Sequence, residues 1–127
     1  MQSAQIETYR NVHKMTLTGR ELEAAVLTKA AQKLTFCQKN WETSDREENL
    51  KDALRYNQQV WTVFQTELSN PENPLPKKLK EDLLSLSAFI DKRIFDIMSF
   101  PAPEKLNAII NINLNIAAGL SGSPAKE

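Results

Sequence analysis

The chain has 127 residues, 41% of them hydrophobic and 25% charged, which fits one domain with a single core. Its 16 Lys and Arg residues balance 16 Asp and Glu, and that balance argues against direct nucleic-acid binding, which draws much of its affinity from phosphate contacts. A single cysteine excludes an intramolecular disulfide, and no apolar run approaches the ~18 residues that span a bilayer, so a cytoplasmic location without membrane contact is expected.

The first segment, Met1 to Met15, is polar and lacks the apolar core of a signal peptide. Residues 2–16 read as a short leading helix carrying Ile6, Tyr9 and Val12 or His13. A stronger helix start follows. Thr18 stands three residues before Glu21, the spacing of a capping box in which each side chain satisfies an amide of the first turn. Leu22, Val26, Ala30, Leu34, Cys37 and Trp41 then recur at helical steps, with Ala24, Ala25 and Ala31 keeping the neighbouring face slim.

The start signal repeats at Ser44 and Glu47, with Asp45, Glu47 and Glu48 placing negative charge where the helix dipole favours it. Leu50, Ala53, Leu54, Asn57, Val60, Trp61, Phe64 and Leu68 share one face, and Asn57 is its one polar member. The helix stops near Ser69, because Asn70-Pro71-Glu72-Asn73-Pro74 is a double turn signal. A third helix opens at Pro76, with Leu75 stapling onto Leu79. Leu79, Leu83, Leu86, Ile90, Ile94 and Ile97 form its main stripe, and Leu84, Ala88, Phe95 and Met98 widen it, the pattern of a central helix with more than one neighbour.

Pro101 and Pro103 end that helix. Residues 110–116 alternate apolar and polar, which in isolation is a strand pattern. A lone strand has no partner for its ladder, whereas Pro103-Glu104 opens a helix and Ala117-Ala118-Gly119 reads as a helix end. We read a helix whose buried face is Leu106, Ile109, Ile110, Asn113, Ile116, Ala117 and Leu120. The expected fold is therefore all-α: an antiparallel bundle of four main helices with a short N-terminal helix over residues 1–120, and a disordered tail over 121–127.

His13 and Cys37 are the chain's single imidazole and single thiol. Catalysis by that pair needs hydrogen-bond reach, and a metal needs three or four ligands, so Cys37 reads as a small core residue and His13 as a surface one. Glu47-Glu48 and Glu81-Asp82 point to different helix faces and read as solvated charge. No Gly-rich phosphate loop or Ser-centred elbow is present. The expectation is a protein that is no enzyme, holds no cofactor or metal, and takes no small-molecule substrate. Trp41, Trp61 and Phe64 suit either a core or an aromatic anchor for a partner helix. Asn57, Asn111, Asn113 and Asn115 must find partners where buried, either one another across the helices or a bound ligand.

Three stretches resemble the FlaF family. They are Thr18 through Leu34, with its Arg20-Glu-Leu-Glu opening; Ala53 through Phe64, similar to an Asn-x-x-Leu-Trp-Thr-x-Phe signature with Val60 at the Leu position; and Leu106 through Leu120, similar to an Ile-Asn-x-Asn-Ile-Ala-x-Gly-Leu ending. The second continues through Asn70-Pro71 and Leu75-Pro76 into Leu84 to Ile90. At the variable position of the ending the resemblance leads us to expect arginine, and this chain has Leu114, so any partner contact made by that arginine is in doubt here. The resemblance implies a flagellar regulator of alphaproteobacteria acting on flagellin synthesis or secretion, together with a second regulator, FlbT, linked to flagellin messenger RNA.

Before assembly, the terminal amphipathic helices of flagellin lack their packing partners, and an apolar groove can cover such a segment. The expected function is thus a flagellin-binding secretion chaperone that also tunes flagellin synthesis. The groove is expected between the last helix and the Trp61-bearing helix, with Asn57, Trp61, Phe64, Asn111 and Asn113 as partner-binding residues. Two other functions fit the sequence: a post-transcriptional regulator acting through FlbT on flagellin messenger RNA, and a structural adaptor completed by dimerisation.

Overall fold

Apolar residues at helical spacing, punctuated by proline and asparagine, build four helices in the computed structural model, which describes residues 19–121. These are α1 (Gly19–Lys39), α2 (Arg46–Ser69), α3 (Lys77–Ser99) and α4 (Asn107–Leu120), with a 3-10 turn at Pro103–Leu106 leading into α4. Among the described residues there is no strand, and Asn111 to Ile116 are helical despite their alternation. The leading helix over 2–16, His13, Thr18 of the first capping box, and residues 122–127 lie outside the described residues.

The centre of the bundle is α1, which packs against both α2 and α4, while α3 packs against α2 and the 3-10 turn. The reason lies in side-chain size. Ala24, Ala30 and Ala31 are buried on α1 and let its neighbours approach closely, with Leu27 and Leu34 filling the space between. The seam expected on this helix is turned by this. Leu27 carries the core contact, Val26 is half-buried, and Leu22 faces solvent at 56% exposure. Trp41 lies beyond the end of α1, half-buried, with the Arg46 guanidinium 5.0 Å from its ring centre.

The face expected on α2 is realised: Leu50, Ala53, Leu54, Asn57, Val60, Trp61 and Leu68 are buried, with Phe64 half-buried. Its start differs from the sequence expectation. Successive turns, Thr43 N–H to Asn40 C=O at 3.2 Å and Arg46 N–H to Thr43 C=O at 3.2 Å, bring the chain to Asp45 as the N-cap. Asp45 has φ −92° and ψ 10°, not the extended geometry in which a cap side chain reaches back, and no side-chain cap bond forms. The Ser44–Glu47 capping box is therefore absent. Pro76 likewise precedes α3 as its N-cap instead of occupying its first turn.

On α3 the expected central position is corrected. Its buried residues, Ser87, Ile90, Ile94 and Ile97, begin only near its middle, and of the residues that widen the stripe Ala88, Phe95 and Met98 face outward while Leu84 is half-buried. Phe95 is 74% exposed and Met98 56%. Ser87, polar within this contact, accepts a hydrogen bond from the Gln65 amide of α2. The turn before α4 is fastened from both sides. Gln38 of α1 donates to the Pro103 carbonyl at 2.9 Å and to Asn107 Oδ1 at 2.6 Å, and Lys105 pairs with Asp96 of α3 at 3.0 Å.

These two faces of α3 predict opposite responses to truncation. Ile94→Ala should lower unfolding stability by about 2–4 kcal/mol in urea melts, through lost burial and the cavity left behind. Phe95→Ala, one residue on, should stay within about 0.5 kcal/mol of the parent.

Candidate binding groove

Two amides and one indole are buried together where α2 meets α4. Asn57 and Asn113 are fully buried, and Trp61 nearly so. The Trp61 indole N–H donates to Asn113 Oδ1 at 2.9 Å, and Asn113 Nδ2 donates to Asn57 Oδ1 at 2.7 Å. The Asn57 Nδ2 group has no partner among the described residues. A buried polar group without a partner costs about 1–3 kcal/mol, so this chain of bonds holds the two helices in one register. Of the two fates open to these asparagines, bonding across the helices is the one observed. Asn111 and Asn115 lie on the opposite, exposed face of α4.

Trp61 has a second role. Its ring meets Phe64 edge-on at 5.5 Å between centroids, and both rings form the wall of a groove of about 550 Å³ that opens to solvent. Ile116 and Leu120 of α4 form a second wall, and Leu75, Leu79 and Leu83 a third. Asparagine geometry shapes the loop beneath it. Asn70 Oδ1 accepts the Glu72 N–H at 2.9 Å, Asn73 Oδ1 accepts the Leu75 N–H at 3.0 Å, and Asn73 Nδ2 donates back to the Glu67 carbonyl at 3.0 Å. The double turn signal thus sets Pro74 and Leu75 against the groove. Gly119, read from the sequence as lying past the helix end, is inside α4 and on the groove. A methyl group added there would meet nothing within 4 Å.

Of the residues expected to bind a partner, Trp61 and Phe64 line this groove, whereas Asn57, Asn111 and Asn113 do not. Asn57 and Asn113 act behind the wall by holding Trp61. The groove residues that sequence reasoning missed include Glu23 of α1, Glu67 of α2 and Gly119. Leu75 and Leu79 carried a signal, the staple at the start of α3, but periodicity assigned Leu79 to the core, and it is exposed along the groove.

Glu23 and Glu67 form a carboxyl pair in the otherwise apolar wall, with Arg20 alongside. Partial burial raises the Glu23 pKa from its ordinary 4.5 to about 7, reinforced by the hydrogen bond and repulsion from Glu67 and opposed by Arg20. Elsewhere, Cys37 is a buried free thiol on α1 whose pKa is pushed up by burial and then by Asp52. That environment suits packing and not nucleophilic chemistry. Among the described residues no three His, Cys, Asp or Glu side chains gather as a metal site, and no helix is long and apolar enough to cross a membrane.

Two measurements check this geometry. Asn113→Leu orphans the Trp61 N–H and the Asn57 carbonyl, each costing about 1–3 kcal/mol, and should lower stability in urea accordingly. The Asn57→Leu/Asn113→Leu double variant should lose less than the sum of the single changes. For Glu23, the folded state holds the proton up to about pH 7 and the unfolded state releases it near 4.5. Its stabilising contribution is thus present below pH 4.5 and lost as pH rises through 7. Thermal melts of Glu23→Gln should show a flatter decline than the parent across this window.

A family model described as flagellar protein FlaF matches residues 5–120, spanning all four helices. Neither the curated proteins nor the solved structures returned a match. With almost the whole chain covered in one continuous match, the chain belongs to the FlaF family of flagellar proteins.

Proposed function

We propose that this flagellar protein is a non-enzymatic chaperone that binds monomeric flagellin in the cytoplasm, and tunes flagellin synthesis by holding it. The observation that carries the reading is the groove walled by Trp61, Phe64, Leu79, Leu83, Ile116 and Leu120. All four helices contribute to it, and they leave apolar side chains without a covering helix among the described residues. Flagellin before assembly offers the complement, amphipathic helices whose apolar faces lack partners, and the helix-in-groove mode joins the two. With a net charge of zero, affinity would rest on apolar burial at the groove more than on long-range attraction. An FlbT-type regulator is the second partner we propose, as the link between bound flagellin and its synthesis.

One observation favours a different reading. Phe95 and Met98 form an exposed apolar patch on α3 away from the groove, with Ala88 and half-buried Leu84 on the same side beyond Asp91. Such a patch suits an adaptor completed by pairing with a second copy.

Calorimetric titration with purified flagellin monomer, at about 0.15 M salt, should give saturable binding with a negative ΔCp. Gly119→Leu fills the groove where the backbone has free space, and should weaken that binding at least about tenfold while melting like the parent. Absence of binding heat, or binding that survives Gly119→Leu but is lost in Phe95→Asp, would reject the groove reading.

A further inference from the structure

The polar part of the groove specifies which helix fits it. Three charged side chains line it: Arg20 and Glu23 from α1, and Glu67 from α2. The lining from α4, Ile116, Gly119 and Leu120, is uncharged, as is that from the loop and α3. The nearby Lys80 ammonium is turned to the Asn73 carbonyl at 3.4 Å. Two carboxyl groups therefore face one guanidinium in a wall that is mostly apolar.

We infer that the groove takes an amphipathic helix of a partner protein whose apolar face is flanked by one lysine or arginine, with that cation seated on the Glu23–Glu67 pair. This rests on the reading of the groove as a helix-docking site. An occupant without a cation would bury the carboxyl pair further with no new partner, and an occupant with a carboxylate at this point would add a third like charge. A cation at the same place completes the charge balance and displaces the proton held on Glu23, which passes to the buffer. The Glu23 pKa of about 7 makes this exchange readable near neutral pH.

The test uses the full chain and two synthetic amphipathic helical peptides of about five turns, alike except for one lysine or one glutamine at the edge of the apolar face. Titrations in buffers of different ionisation heat count the protons exchanged. The lysine peptide should bind about tenfold more tightly at pH 8 than at pH 6, and release about half a proton at pH 7. The glutamine peptide should show neither effect, and Glu23→Gln should abolish both for the lysine peptide while leaving saturable binding. Equal behaviour of the two peptides overturns the charge preference and leaves the groove reading intact. Failure of both to bind, or a concentration-dependent mass showing the groove closed by a second copy, overturns the inference together with that reading. If the lysine peptide behaves as expected and flagellin does not bind, the inference stands and the flagellin assignment falls.

Discussion

The hydrogen-bonded chain from Trp61 through Asn113 to Asn57 is the constraint on which the rest of the structure depends. Apolar packing alone tolerates sliding and rotation, because one aliphatic contact replaces another at little cost. Three buried polar groups do not. A shift of α4 by one residue would withdraw Asn113 and leave the indole N–H and an amide carbonyl without partners. The same bonds fix the Trp61 ring, whose far side is groove wall beside Phe64. Register and groove are therefore set by one network, and the polar residues of the interior hold the groove wall from behind.

The groove exists because the helices part at one end of the bundle. Alanines on α1 draw its neighbours close through the core, and the fully buried residues of α3 begin only at Ser87. The first half of α3 stands off, held by the asparagine-shaped loop between Asn70 and Pro76. Its leucines line an open space that no other described helix fills. The carboxyl pair sits at the margin of that space, where partial burial makes two like charges costly without making them inaccessible.

Much of this was legible from the residues. The α2 face was read residue by residue, and its end at Ser69 was placed by Asn70-Pro71. Residues 110–116 form helix despite their alternation, as the lack of a ladder partner for a lone strand predicts. What escaped were features that depend on neighbours. The expected α1 seam includes Leu22 and leaves out Leu27, and only the packing of α4 and α2 against the alanine face turns Leu27 inside and Leu22 out. Leu79 and Ile97 lie on one stripe, yet one is in the groove and the other in the core, since periodicity assigns a face without saying where along it a partner ends. Glu23 and Glu67 lie 44 positions apart in the chain, and no local pattern brings two carboxyls together. Asn57 and Asn113 were singled out for their chemistry, but their bonds to each other and to Trp61 appear only once the helices are packed.

The central claim is that the groove, and not the outer patch of α3, receives flagellin. Hydrogen–deuterium exchange with and without flagellin monomer tests it most directly, because fragments covering Phe64 to Leu83 and Ile116 to Leu120 report the groove, and the fragment around Phe95 reports the patch. Slower exchange in the first two, with the third unchanged, is the predicted result. Protection confined to the fragment around Phe95, or no change anywhere at saturating flagellin, would contradict the account.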